Sequence, residues 1–306
     1  MKPTVVIAYA PFGDYQIEQE ILQQLGGEIR YFSETHSPEA QAAMQSADAV
    51  MVTIQPVRAD LIGTLERCKL ICRVGTGLDS IDLDAAAQQG IWVTYVPDYS
   101  IDEASTHAIS LLLAQARGIP QLIASTREGK WDNTSGGIVY RLNEQTLGLL
   151  GCGRIGQAVA RKGKGLGLRV IAHDPYMDEQ TLRGAGVEPV DFDTLLTESD
   201  FITLHSPLTE ANRHIINAAS LAKMKSTAYL INTARGPLID EDALLQAVRA
   251  GQIAGAALDV LTVEPPSPDN PLLHEPHIFV TPHTAWYSEA AKVDVRVRGA
   301  EEVVRV

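Results

Sequence analysis

Thr146-Leu147-Gly148-Leu149-Leu150-Gly151-Cys152-Gly153-Arg154-Ile155-Gly156 is the stretch that decides the fold. Its first five residues form an apolar run of strand length. They lead straight into G-x-G-x-x-G, after which Gln157-Ala158-Val159-Ala160 opens a helix. Taken alone the glycine spacing is weak, and Gly75-Thr76-Gly77 and the cluster Gly163, Gly165 and Gly167 compete with it. Context separates them, because only the first set follows a strand directly and begins a helix. There Gly151 permits the tight turn, Gly153 lets backbone approach a pyrophosphate, and Gly156 lets helix and strand pack closely. The anion would rest on the helix N-terminus, where free N–H groups and the dipole favour negative charge. The following strand, Arg169–His173, runs into Asp174. A carboxylate at that place accepts from both ribose hydroxyls and repels a 2′-phosphate, so NAD is expected rather than NADP.

Outward from this centre the chain alternates strands and helices, the pattern of α/β domains on parallel sheets. On the C-terminal side strands are predicted at Phe201–His205, Ala228–Asn232, Ala254–Leu258 and Ile278–Val280. With Thr146–Leu150 and Arg169–His173 they make six, the number in a full dinucleotide-binding sheet. On the N-terminal side strands are predicted at Thr4–Tyr9, Glu28–Phe32, Ala49–Ile54, Leu70–Val74 and Trp92–Val96, with a helix over Tyr15–Leu25. The segment Ile101–Gly118 contains a run, Ala108–Ala114, that is apolar nearly all round, and so is expected to be a buried helix, placed between two domains. Gly129–Gly137 is a polar loop. A last helix from about Ala285 presents Ala290, Val293 and Val297 and stops on Val306 without a cap, as a truncated chain would.

The 306 residues suggest about two domains. A charge of −13 with no basic cluster argues against nucleic-acid binding. No run approaches the ~20 apolar residues of a membrane span, and the N-terminus reads as a strand rather than a signal peptide. Cys68, Cys72 and Cys152 do not have metal or redox spacing, so small buried side chains, no metal and a cytoplasmic location are expected.

Three chemical groups end successive strands of the second sheet: Arg235 in Asn232-Thr233-Ala234-Arg235-Gly236, Glu264 in Val263-Glu264-Pro265-Pro266, and His283 in Thr281-Pro282-His283. His205, in Leu204-His205-Ser206-Pro207, ends a fourth. Ligands of open α/β sheets gather at these carboxyl ends. A cation, an acid with a pKa near working pH, and a carboxylate to tune it are what reduction of a 2-oxo acid requires. Singly, Arg235 could be a surface salt bridge, Glu264 a solvated loop acid and His283 a capping or core residue. Their joint occurrence favours chemistry.

Arg73-Val74-Gly75-Thr76-Gly77-Leu78-Asp79, the glycine loop, Asn232–Gly236, Ala257-Leu258-Asp259-Val260 with Glu264-Pro265, and Thr281-Pro282-His283 together resemble the D-isomer-specific 2-hydroxyacid dehydrogenase family over nearly the whole chain. The resemblance implies two parallel-sheet α/β domains, Rossmann-like and flavodoxin-like. The NAD-binding domain (101–283) would be inserted into a substrate domain (1–100 and 284–306). It implies that Arg235 holds the substrate, that His283 passes the proton and that Glu264 keeps His283 protonated. Substrate contacts are implied at Arg73, Gly75, Thr76, Gly77 and Trp286. Cofactor contacts are implied at Thr76, Gly151, Gly153, Arg154, Ile155, Gly156, Asp174, His205, Ser206, Pro207, Asn212, Thr233, Ala234, Arg235, Asp259 and His283, with Asp259 at the nicotinamide carboxamide. The run from Thr281 to Glu289, with Trp286 three residues after His283, looks most like the C-terminal-binding-protein branch, which includes NAD(H)-binding corepressors as well as enzymes. The expectation is an NAD-dependent 2-oxoacid reductase and homodimer. The alternatives are an NAD(H)-sensing scaffold, or the same fold acting on phosphoglycerate, formate or phosphite. Cys152 in the glycine loop and the helix segment Ala104-Ser105-Thr106-His107 depart from the family pattern.

Overall fold

The computed structural model describes residues 2–9 and 12–306. They divide into two compact units, one of residues up to Tyr99 with Ser288–Val306, the other Ser100–Tyr287.

The first unit holds five parallel strands: β1 (Thr4–Ala8), β2 (Glu28–Phe32), β3 (Ala49–Val52), β4 (Leu70–Arg73) and β5 (Trp92–Tyr95). Their order is β2-β1-β3-β4-β5, the flavodoxin-like arrangement. Each begins where the sequence places it and ends at most two residues early. The inner strands are continuous apolar runs because helices cover both faces, and Val6, Val50, Val52 and Ile71 pack with Ala40, Ala43 and Met44 of the helix Pro38–Gln45. That helix starts by rule: Pro38 sits in its first turn, and Ser37 Oγ accepts from the Ala40 N–H.

The closing helix runs Glu289–Arg305, capped by Ser288, whose Oγ accepts from the Ala291 N–H. Its buried face is Ala291, Val295, Arg296, Gly299, Ala300 and Val303, not the Ala290, Val293 and Val297 face that hydropathy selects. A buried ion pair sets the phase. The Arg296 guanidinium donates to both oxygens of Glu18 at 2.8 and 2.7 Å and to Asp14 Oδ1 at 2.8 Å. Gly299 lies so close to Val74 that a Cβ there would be 3.1 Å from its methyl.

The second unit holds β6 (Thr146–Leu150), β7 (Arg169–His173), β8 (Glu188–Pro189), β9 (Phe201–Leu204), β10 (Tyr229–Asn232), β11 (Gly255–Leu258) and β12 (Ile278–Val280). All are parallel, in the order β12-β11-β10-β9-β6-β7-β8, so the direction of winding reverses between β6 and β9. The seventh strand, β8, escaped the sequence because two residues carry no periodicity; its proline is tolerated at a sheet edge.

The helix Ile101–Ala116 is buried within this unit against the helix Arg154–Gly165, with Ile109, Leu112 and Val159 in one core. Lys162 fastens the pair, its ammonium donating to Asp102 Oδ1 and Ser105 Oγ, both at 2.8 Å. Residues 284–287, assigned by sequence to the closing segment, group here, because the Thr284 and Ala285 N–H groups bond to Asp259.

All three cysteines are buried free thiols. Burial pushes Cys68 and Cys152 up to about 11 and Cys72 to about 12. Among the described residues no helix is long and apolar enough to cross a membrane, and no cluster of His, Cys, Asp and Glu could hold a metal ion.

Candidate active site

The reversal between β6 and β9 opens the crevice where dinucleotides bind such sheets. Gly151 leaves β6 with φ +88°, and a Cβ there would stand 2.6 Å from the Ser206 N at the end of β9. An L side chain is excluded twice, by conformation and by contact. Gly153 caps the helix that begins at Arg154 and has nothing within 4 Å of where a Cβ would be, so backbone is open to a ligand. Gly156 faces back onto the Gly151 carbonyl in the first turn, and Ile155 beside it is half-buried. Asp174, just past β7, accepts from the Cys152 N–H at 2.8 Å through Oδ2 and from the Tyr176 N–H at 3.0 Å through Oδ1. Each oxygen retains a lone pair for a hydroxyl donor.

Two buried hydroxyls at neighbouring strand ends, Ser206 Oγ and Thr233 Oγ1, have no hydrogen-bond partner among the described residues. Buried polar atoms are rarely left so, and an incoming polar ligand would satisfy them. The open glycine, the ribose-ready carboxylate and these two hydroxyls fit a dinucleotide. His205 and Asn212 both have partners within their own segment. The His205 ring bonds Thr203 Oγ1 at 3.0 Å, and burial pushes it down to about 4. Asn212 spends its amide on the loop, donating to the Pro207 carbonyl and accepting from the Thr209 N–H, both at 2.7 Å.

The structure brings Glu264 and His283 together, with Nδ1 of the ring 2.6 Å from Glu264 Oε2. The other carboxylate oxygen accepts from the Leu261 N–H at 2.8 Å. With Nδ1 engaged by an acceptor, Nε2 is the ring atom left for proton exchange. His283 adopts φ +49°, a left-handed conformation that costs a non-glycine residue on the order of 1–3 kcal/mol and is found where surroundings over-determine it. Its own N–H is fixed to the Asp259 carbonyl at 2.8 Å.

Arg235 follows β10 on a loop built by Asn232, which is wholly buried. The Asn232 amide donates to the Arg235 carbonyl at 2.8 Å, and its oxygen accepts from the Ala234 N–H at 2.9 Å. The next residue, Gly236, lies against the Leu261 backbone so tightly that a Cβ would approach to 2.1 Å, which packs the arginine loop onto the loop that carries Glu264. Trp286 stands edge-on to Tyr287 at 5.6 Å.

Asp259 lies just past β11. Its side chain has no exposed surface, and its carboxylate already accepts from Thr281 Oγ1 at 2.5 Å, the Thr284 N–H at 2.9 Å and the Ala285 N–H at 2.8 Å. Burial alone would raise its pKa; hydrogen bonds from His107, Thr281, Thr284 and Ala285 outweigh it and hold the group below the usual carboxylate range. Enclosed in this way it braces the loop that bears His283. Sequence reasoning missed this brace, since Thr281 and His107 carry no spacing signal that joins them to Asp259.

In the first unit Arg73 curls over the loop that follows β4, with Nη1 2.9 Å from the Val74 carbonyl. Gly75 has φ +144°, and a Cβ there would collide with that guanidinium at 1.3 Å. Thr76 donates its hydroxyl to the Val96 carbonyl at 3.0 Å, tying this loop to the end of β5; Gly77 follows it.

Residues 109–285, more than half of the chain, match the family described as D-isomer specific 2-hydroxyacid dehydrogenase, NAD binding domain. The D-3-phosphoglycerate dehydrogenase of Archaeoglobus fulgidus is 42% identical over 260 residues, 85% of this chain and 49% of that protein. The hydroxypyruvate reductase of Thermotoga maritima is 42% identical over 253 residues, 81% of each chain. The solved D-lactate dehydrogenase of Aquifex aeolicus, complexed with NAD and lactic acid, superposes with a TM-score of 0.89 at 30% identity, covering 98% of this chain and 94% of that one. The chain spans about half the length, or less, of the phosphoglycerate dehydrogenases it matches.

Proposed function

The chain belongs to the D-isomer-specific 2-hydroxyacid dehydrogenase family, and on that premise we propose that it reduces a small 2-oxo acid to the D-2-hydroxy acid with NADH. The observation that carries this reading is the His283–Glu264 pair, 2.6 Å apart at the ends of strands in an NAD-binding sheet. NADH, when bound, supplies the hydride for the 2-carbon. Arg235 binds the substrate carboxylate and 2-oxygen, concentrating positive charge where negative charge develops. His283 gives the Nε2 proton to that oxygen, while Glu264 orients the ring and stabilises its cationic form in the reaction. Ser206, Thr233, Asp174 and the Gly151–Gly156 loop hold the cofactor.

The substrate we favour is unphosphorylated. Among the described residues, the loops leaving the carboxyl ends of β1 to β5 carry one lysine or arginine, Arg58, besides Arg73 at the end of β4. Against these stand Asp14, Glu34, Asp79, Asp82 and Asp98. So acidic a set of loops suits an uncharged side chain better than a phosphate dianion. Trp286, shared with the C-terminal-binding-protein branch, suits an apolar side chain beside the 2-oxo group. The test is NADH oxidation with a panel of 2-oxo acids. Apolar unphosphorylated acids should exceed a phosphorylated one in kcat/KM by at least about tenfold. Tight NADH binding with no turnover on any acid would reverse the assignment in favour of an NAD(H)-sensing scaffold.

A homodimer is the assembly we favour. The helix Ile101–Ala116 is spent inside its own unit, but the next segment exposes Ile119, Ile123, Trp131 (95% exposed), Ile138, Val139 and Tyr140. So much apolar surface in one stretch marks an interface, and a second copy would cover it. Sedimentation should give twice the chain mass, and Trp131→Glu with Ile138→Glu should halve it; a monomeric parent would remove the proposal. Three buried thiols suit a reducing compartment such as the cytoplasm.

A further inference from the structure

The helix residue His107 takes no part in the reading above, yet it lies directly beneath the reactive loop. We propose that His107 is a positioning residue for His283, acting through Thr281 and Asp259; this rests on His283 being the group that passes the proton.

His107 Nε2 is 3.1 Å from Thr281 Oγ1 and 3.3 Å from Asp259 Oδ1. Thr281 has one hydroxyl proton, and it is directed to Asp259 Oδ1 at 2.5 Å. The Asp259 carboxylate can only accept. Both atoms facing Nε2 are therefore acceptors, so Nε2 must carry a hydrogen and donate. This single N–H closes a buried network from which the reactive loop hangs. The Asp259 carboxylate holds the Thr284 and Ala285 N–H groups, and its carbonyl holds the His283 N–H at 2.8 Å. His283 in turn sits at φ +49°, a conformation that relaxes unless its neighbours are fixed on both sides. Without the His107 donor, Thr281 is free to turn its hydroxyl away and Asp259 loses a partner. The loop then loosens by the fraction of an ångström that matters for proton transfer.

The test compares His107→Leu, which removes the donor, with His107→Gln, which returns an amide N–H. Thr281→Val breaks the same link without touching the helix. In His107→Leu and Thr281→Val, kcat should fall by about tenfold to a hundredfold. KM for NADH should hold within about twofold and the melting temperature within about 3 °C, and His107→Gln should regain most of kcat. A second readout needs no turnover: the downfield Nδ1–H proton of His283, seen by NMR in the parent, should weaken in the two broken variants and return in His107→Gln. An unchanged kcat or an unchanged ring signal in His107→Leu overturns the proposal, and so does a Gln variant no better than Leu. A parent that reduces no 2-oxo acid defeats the functional assignment instead, and the ring signal then decides the positioning role alone.

Discussion

His283→Ala is expected to lower kcat for 2-oxo acid reduction by about a hundredfold or more, leaving NADH affinity within about twofold. A hundredfold corresponds to about 2.7 kcal/mol of transition-state stabilisation, the usual scale of a general acid. Neither His205 nor His107 is placed to substitute. His205 also ends a strand, but burial holds it at about 4 and Thr203 occupies its ring, so near neutral pH it carries no proton to give up as an imidazolium. His107 is tied into the Asp259 network. Single-turnover kinetics with NADH in excess would separate chemistry from binding. A rate equal to that of the parent would strip His283 of its role and leave the Glu264 pair as loop structure.

Arg296→Ala is expected to cost about 3–5 kcal/mol of stability, because it strands a carboxylate in the core. Glu18 has no exposed surface and accepts from Arg296 through both oxygens and from the Tyr9 hydroxyl at 2.9 Å. The guanidinium also lies over the Phe12 ring, 5.6 Å from its centre, which alanine would vacate. The loss should fall on the first unit, where the pair joins the closing helix to the helix Gln16–Leu22. Urea unfolding followed by hydrogen exchange would show it there first. Removing both charges, in Arg296→Met with Glu18→Met, should recover part of the loss, though the Tyr9 hydroxyl is then left without its acceptor. A single variant as stable as the parent would mean that solvent reaches Glu18.

Some of this was legible in the residues. The inner strands of the first unit, β1, β3 and β4, begin at their predicted residues because a parallel strand buried on both faces is a continuous apolar run, a signal that survives without context. The glycine loop was legible because strand, turn and helix occur in a fixed order around it. The closing helix was not. Its apolar residues suggest one face, but a charged residue, Arg296, lies at the centre of the buried one, because its partner Glu18 arrives from far away in sequence.

What the sequence determined by itself is therefore the parallel-sheet architecture, the glycine loop with a carboxylate, Asp174, at the end of the next strand, and the identity of Arg235, Glu264 and His283 as groups at strand ends. All of these rest on local pattern or on position relative to a strand. Only the tertiary structure decided that His283 meets Glu264 at 2.6 Å while the His205 ring bonds Thr203, and that Asp259 braces a loop. Only it could place His107 beside Thr281, 174 residues away in the chain. The physical reason is the same in each case. A hydrogen bond is a relation between two atoms brought together by packing, and a sequence records the residues without recording which of them packing will join.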